Sequence, residues 1–253
     1  MTFKDFYARF LGVHKCGGCG CILPYERFYH AFCDECSLEW NAALTVGCQK
    51  CFNPAVECTC MPKALADSGA LCLRKLFFYE NERGGEAHIR LIYRLKRYKN
   101  RRLTAFVADQ LLPFIKSELV LAGLDDNMDK VVISWCPRGR RARIRYGHDQ
   151  SEEMAKCLSK KLGAAYLPLF AQKIGGKEQK ELDKKGRLKN ATDHIVMNAR
   201  DDIKGKFIVL YDDMVTTGAT MTACVSHAMK AGAAGVICCS LACSDKIYGH
   251  KTK

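Results

Sequence analysis

The sequence predicts an α/β protein: a parallel sheet flanked by helices, preceded by a small N-terminal zinc-ribbon module. Three observations carry this. Short, unbroken apolar runs at Val131–Trp135 and 208–211 read as buried strands of a parallel sheet. Each is followed by apolar residues at helical spacing, at Met154, Cys157, Leu158 and Leu162 after the first and at Met221, Val225, Ala228 and Met229 after the second. Eight cysteines stand in close pairs between residues 16 and 60. The expected boundaries are residues 1–62 for an N-terminal helix and the cysteine module, and 63–253 for the α/β domain.

Composition narrows the class. The chain has 253 residues, enough for a sizeable core, and no run approaches the ~20 apolar residues that span a bilayer. Lys4, Asp5 and Arg9 interrupt the first residues, which argues against a signal peptide. Sixteen cysteines without an export signal point to metal binding in a reducing cytoplasm rather than to a disulfide scaffold. The net charge of +13 is uneven: residues 1–70 hold 6 Lys and Arg against 7 Asp and Glu, leaving 34 against 20 for residues 71–253. A basic domain of this kind takes anionic partners, phosphorylated small molecules or nucleic acid.

In chain order, residues 2–12 place Phe3, Phe6, Tyr7, Phe10 and Leu11 on one helical face. Cys16-x2-Cys19 precedes Cys33-x2-Cys36, and Cys48-x2-Cys51 precedes Cys58-x-Cys60, the spacing of two tetrahedral zinc sites. The sequential pairing is Cys16, Cys19, Cys33, Cys36 and Cys48, Cys51, Cys58, Cys60. A cross-braced pairing stays open, Cys21 can replace Cys19, and His14 and His30 are spare ligands. Residues 61–75 read as a linker, and Phe77, Phe78 and Tyr79 as a strand. Residues 88–98 read as a helix with Ile89, Ile92, Tyr93 and Leu95 on its apolar side. Its other side, with Arg90, Arg94, Lys96 and Arg97, is either a nucleic-acid face or a solvated surface beside a phosphate-handling cleft. A second helix covers 103–121, kinked or divided by Pro113.

After the strand Val131–Trp135 comes Cys136-Pro137-Arg138-Gly139, a tight turn followed by Arg140, Arg141, Arg143 and Arg145 with no acid among them, an anion site at a strand edge. A helix follows over Gln150–Leu162, stopped by Gly163. Residues 165–170 read as a strand, 171–189 as a basic polar loop, and 235–241 as the last strand, after a helix stopped by Gly232.

Residues 208–220, IVLYDDMVTTGAT, organise the rest. The acids and the threonine loop fall where a strand hands over to a helix, the edge at which open α/β sheets bind ligands. Gly218 lets the backbone approach a ligand, and the first amides of the helix favour a phosphate. Thr216, Thr217 and Thr220 add donors. Asp212 and Asp213 suit sugar hydroxyls, or Mg²⁺ held through water. A phosphate cradle beside a diol-binding acid pair describes a phosphorylated ribose.

This stretch resembles the phosphoribosyl-pyrophosphate signature of the type I phosphoribosyltransferases. The resemblance implies a type I phosphoribosyltransferase-like fold in which Asp212 and Asp213 contact the ribose, and Met214, Val215, Thr216, Thr217, Gly218, Ala219 and Thr220 form the loop around the 5′-phosphate. It assigns pyrophosphate to Pro137 and Arg138, and to basic side chains such as Lys173 and Lys177 of a closing loop, with Mg²⁺ bridging pyrophosphate oxygens. Taken whole, the chain resembles the ComF family, which joins a double zinc ribbon to such a domain. The matching pieces are the cysteine pairs, Leu95-Lys96, RIRYGHDQSEEMA from Arg143, RLKN from Arg187 and the ribose-phosphate signature. Gly147, Asp149 and Gln150 keep the family's central motif, while Tyr146 and His148 replace its arginine and aromatic. The resemblance implies a role in DNA uptake during bacterial competence, in the cytoplasm, with single-stranded DNA or DNA-processing proteins as partners. Two functions follow: phosphoribosyl transfer to an unidentified acceptor, or a silent ligand-sensing or single-stranded-DNA-binding module whose ribbon contacts a partner.

Overall fold

The computed structural model describes residues 14–79, 85–124, 127–173, 194–198 and 203–244. The helix expected over 2–12 and the RLKN segment lie outside them. Five strands, β1 (Ala70–Tyr79), β2 (Val131–Trp135), β3 (Ala165–Tyr166), β6 (Phe207–Val215) and β7 (Gly235–Ser244), form one sheet in the order β1-β7-β6-β2-β3. Every pairing is parallel. β2 is buried along its whole length and β7 for nine of its ten residues, which is why both read as continuous apolar runs. A short antiparallel ladder, β4 (Phe170–Gln172) with β5 (Ile195–Met197), stands apart.

Helices cover both faces. On one lie α3 (Ala87–Arg97), α4 (Arg101–Leu121) and α6 (Gln150–Leu162); their apolar residues join Ile133, Val209, Tyr211 and Ile237 in the larger core. On the other, α7 (Ala219–Lys230) and the short α2 (Lys63–Asp67) pack on Val132, Ile208, Leu210 and Val236. The chain leaves β2 towards α6 and β6 towards α7, so the crevice between these adjacent strand ends is a topological switch point.

Several expectations need correction. Residues 61–75 are not a linker: they form α2 and the first half of β1. The charges inside that strand obscured it, yet both are partnered: Arg74 Nε donates to Glu118 Oε1 at 2.7 Å, and the buried Lys75 Nζ donates to the carbonyls of Cys58 and Cys60 at 2.8 and 3.0 Å. Pro113 does not divide α4, which runs unbroken for 21 residues. The proline sits on the exposed side, so the carbonyl it leaves without a helical donor is solvated. Residues 165–170 are two strands rather than one: Pro168 has no N–H to donate, and the chain passes from the main sheet to the β4–β5 ladder. Tyr93 points outward, 48% exposed, instead of joining the apolar side of α3.

The cysteine module also contains a helix, α1 (Asp34–Leu44), which buries Cys36, Trp40 and Ala43. Trp40 meets Phe77 of β1 at 5.7 Å and Phe106 of α4 at 5.2 Å between ring centroids. The module therefore shares the main core.

Candidate functional site

β6 continues through Asp212 and Asp213 to Val215, and the chain then turns into α7 at Gly218. Gly218 has φ +73°, and a Cβ there would lie 3.1 Å from Pro62 Cγ, so both the backbone angle and the close approach favour glycine. The Ala219 amide reaches Thr217 Oγ1 at 3.4 Å. The other amides of the first turn have no helical acceptor, and the positive end of the helix dipole lies at this loop.

The loop after β2 faces this turn. The Cys136 amide extends the ladder to the Tyr211 carbonyl at 2.9 Å. Asp149 holds the next step: its Oδ2 accepts from the Arg138 amide at 3.2 Å, and its Oδ1 accepts from the amides of Ser151 at 3.0 Å and Glu152 at 3.4 Å, capping α6. Burial raises the Asp149 pKa, opposed by those three amides. Gln172 Nε2 donates to the Pro137 carbonyl at 3.2 Å. The Arg138 guanidinium lies 4.7 Å over the Tyr146 ring, and its buried Nη1 has no hydrogen-bond partner. A half-buried cation of this kind, with a free buried donor, fits an anionic oxygen.

Between the two loops is a cavity of about 210 Å³, lined by Pro137, Arg138, Asp212, Asp213, Met214 and Thr220, with Cys136, Gly139, Gln150, Ser151 and Gln172. Asp213 is oriented from behind. Lys96 Nζ lies 3.3 Å from its Oδ2, and Gln150 Nε2 donates to the same oxygen. The Asp213 amide donates to Asp212 Oδ1 at 2.9 Å. Burial, and then the neighbouring Asp213 carboxylate, push the Asp212 pKa well above the usual carboxylate range. Asp212 therefore holds a proton more readily than a solvated carboxylate does.

The structure brings six of the expected ligand residues to this cavity and leaves the other described ones off its wall. Val215 is buried beneath the loop, Thr216 is exposed at its tip, and Thr217, Gly218 and Ala219 form the turn itself. Lys173 is exposed beyond β4, where its amide donates to the His194 carbonyl at 2.8 Å. Lys177 lies outside the described residues, as do the side chains of Arg140 and Arg141. Lys96, Ser151 and Gln172 join the site without a signal of their own in the sequence. Lys96 sits on the charged side of an amphipathic helix, and nothing local marks which charge turns inward.

The eight cysteines gather into two groups, Cys16, Cys19, Cys33, Cys36 and Cys48, Cys51, Cys58, Cys60, with the four sulfurs of each within 4.8 Å of one another. This is the sequential pairing. Cys33 Sγ lies 3.7 Å from Cys16 Sγ and 3.8 Å from Cys19 Sγ. Four thiolates on a zinc ion at ~2.3 Å would sit about 3.8 Å apart, so the donor set fits zinc. Amides of Cys33 and Lys50 point at Cys16 Sγ and Cys48 Sγ, both at 3.4 Å. Cys21, His14 and His30 belong to neither group.

The basic side of α3 meets this module. Arg90 pairs with Glu39 at 2.8 Å, Arg94 donates to the Cys16 carbonyl at 2.9 Å, and Arg102 donates to the carbonyls of Lys15, at 2.6 Å, and His30. Between α3 and the ribbon runs an open groove of about 1010 Å³, lined by Lys15, Arg90, Arg94, Arg97 and Arg102 with Tyr93 and Tyr98, and by no acid among the described residues.

A parallel sheet with helices on both faces and a crevice where adjacent strands β2 and β6 end defines a phosphoribosyltransferase-like α/β fold. Residues 136–253 match the family model described as phosphoribosyl transferase domain. Similar solved structures include a purine phosphoribosyltransferase from Pyrococcus horikoshii Ot3, 21% identical with a TM-score of 0.33, over 55% of this chain and 73% of that one. A variant hypoxanthine phosphoribosyltransferase from Trypanosoma cruzi, complexed with the product IMP, is 12% identical with a TM-score of 0.37, over 60% and 70%. A hypoxanthine phosphoribosyltransferase from Staphylococcus aureus is 11% identical with a TM-score of 0.34, over 59% and 68%. No curated protein matches the sequence.

Proposed function

We propose that the chain binds phosphoribosyl pyrophosphate in the crevice between β2 and β6 and transfers its phosphoribosyl group to a nitrogen acceptor. The observation that carries this is the convergence on one cavity of Arg138, whose Nη1 is buried and unpartnered, the acid pair, and Thr220 in the first turn of α7. The 5′-phosphate takes the amides and hydroxyls of 216–220, and the ribose hydroxyls take Asp212 and Asp213. The pyrophosphate takes Arg138 and the amides beside Pro137. In the transfer, the C1′–O bond breaks with its electron pair going to pyrophosphate. The acceptor nitrogen forms the new C1′–N bond, and its proton passes to the released pyrophosphate. Arg138 faces the charge that grows on the leaving group. Mg²⁺ would neutralise pyrophosphate oxygens, with Asp212 and Asp213 within reach as oxygen ligands through water.

The double zinc ribbon joined to this domain supports the finer reading of a ComF-like protein with a part in DNA uptake. The groove, whose described lining is basic and includes two exposed tyrosines, favours a second activity, the tracking of single-stranded DNA. Sixteen free thiols among the described residues suit a cytoplasmic setting.

Ligand-induced thermal stabilisation tests the first reading. At a hundredfold excess over Kd, phosphoribosyl pyrophosphate with Mg²⁺ should raise Tm by about 5–10 °C. An equal rise in the Asp212→Asn/Asp213→Asn protein removes the site. For the second reading, DNA affinity should fall steeply with salt and weaken in Lys15→Glu/Arg97→Glu; insensitivity to both removes the groove.

A further inference from the structure

On the far side of the Gln150–Asp213 hydrogen bond lies a second cavity, of about 310 Å³, within the range that holds small molecules. It runs between α3, α4 and α6 and shares Gln150 and Asp213 with the ribose-phosphate cavity. Its inner walls are apolar: Ile92 and Leu95 of α3 face Met154, Tyr211 and Leu241, all buried. Its rim is cationic. Lys99, Arg101, Lys156 and Lys160 stand there; Glu153 pairs with Lys99 at 2.9 Å, and Lys156 pairs with Glu152 at 2.7 Å and lies 3.8 Å from Glu153. Arg101 and Lys160 are exposed and carry no ion pair among the described residues.

Gln150, which lines both cavities, has an open valence. Gln150 is 9% exposed and its Nε2 is engaged by Asp213, while its Oε1 is buried without a hydrogen-bond partner. A buried amide oxygen left unpaired is costly, and a ligand N–H beside it removes that cost. An occupant of this cavity therefore needs a donor at one end, an apolar body and an anionic group at the other.

We propose that this cavity binds a small flat aromatic or heteroaromatic carboxylate, its N–H at Gln150 Oε1 and its carboxylate at Arg101 and Lys160. The inference deepens the transferase reading and rests on it for the occupant's role. A nitrogen placed at Gln150 lies one side chain from the aspartate assigned to the ribose, the neighbourhood an acceptor must occupy. Such a site prefers a carboxylate-bearing ring to a neutral one, because the rim charges gain little from a neutral body.

The test is a fluorescence titration of the full-length, zinc-loaded chain with 2-aminobenzoate, beside calorimetry with phosphoribosyl pyrophosphate and Mg²⁺ on the same protein. Saturable 2-aminobenzoate binding is expected, weakened about tenfold by Arg101→Glu/Lys160→Glu, as for the loss of a charge-assisted hydrogen bond. Cys157→Phe, which narrows the half-buried wall, should weaken it as well. Benzoate, which lacks the N–H, should bind several-fold more weakly. No saturable binding to the wild-type chain, or affinity unchanged in both variants, overturns the site; equal affinity for benzoate overturns the placement at Gln150. Binding of 2-aminobenzoate without binding of phosphoribosyl pyrophosphate upholds the cavity and fails the transferase reading. The reverse fails the cavity alone.

Discussion

Lys96 Nζ lies 3.3 Å from Asp213 Oδ2, so a helix outside the matched transferase segment supplies a cation to the acid pair inside it. The contact ties α3, which also carries the ribbon-binding arginines, to the crevice at the end of β6. Replacement by Lys96→Met keeps the aliphatic stem and removes the charge. Calorimetry should then show phosphoribosyl pyrophosphate binding about tenfold more weakly, the scale of one charged hydrogen bond, with Tm little changed.

Asp212 sets stability against binding. Its pKa is raised by burial and by Asp213, so the folded state holds the proton more tightly than the unfolded chain does. Below the unfolded carboxylate value of about 3.9 both states are protonated and the group is neutral in its effect. As pH rises from there towards the raised folded value, the unfolded chain ionises first and stability falls. Asp212→Asn removes this cost. Its Tm should exceed the wild-type value at pH 7 by about 2–4 °C per kcal/mol regained, and the gap should close near pH 4. Ligand binding should weaken in the same protein. Thermal denaturation across pH checks the sign; a Tm below wild type at pH 7 contradicts it.

Gly218→Ala places a methyl group at φ +73° and 3.1 Å from Pro62 Cγ. The left-handed backbone alone costs about 1–2 kcal/mol. Denaturant titration should show that loss, and the binding of phosphoribosyl pyrophosphate should fall further, because the turn that presents the amides is displaced.

Metal removal should reach the sheet. Lys75 is 1% exposed and donates to the carbonyls of Cys58 and Cys60, while Trp40 packs on Phe77 and Phe106. Chelation should release two zinc ions per chain, shift the Trp40 emission to the red and lower Tm for the whole protein. Lys75→Met should ease metal loss from the second group, because the buried carbonyls lose their donor. Elemental analysis after dialysis against a chelator measures both.

The strands flanking the crevice, the helices after them and the cysteine pairs were legible because each is specified by adjacent residues. Val131–Trp135 is a run of buried residues, Asp149 and Gly163 bound α6 by capping and by a left-handed turn, and CxxC spacing states its own geometry. β1 was hidden because Arg74 and Lys75 look like surface residues until Glu118 and the Cys58 and Cys60 carbonyls, far off in sequence, are seen beside them. α1 carries a signal in the spacing of Cys36, Trp40 and Ala43, overlaid by the metal-site spacing of the same cysteine. In the site, Asp212, Asp213 and Arg138 announced themselves by residue type at strand ends. Lys96 and the Gln150 oxygen did not, because their roles depend on which way a helix faces across the sheet.

The most direct measurement is calorimetric titration of the zinc-loaded protein with phosphoribosyl pyrophosphate, with and without Mg²⁺, in wild type and in Asp212→Asn/Asp213→Asn. One saturable Mg²⁺-dependent site in wild type, absent from the double variant, is the predicted result. No binding by the wild-type protein, or equal binding by both, contradicts the account.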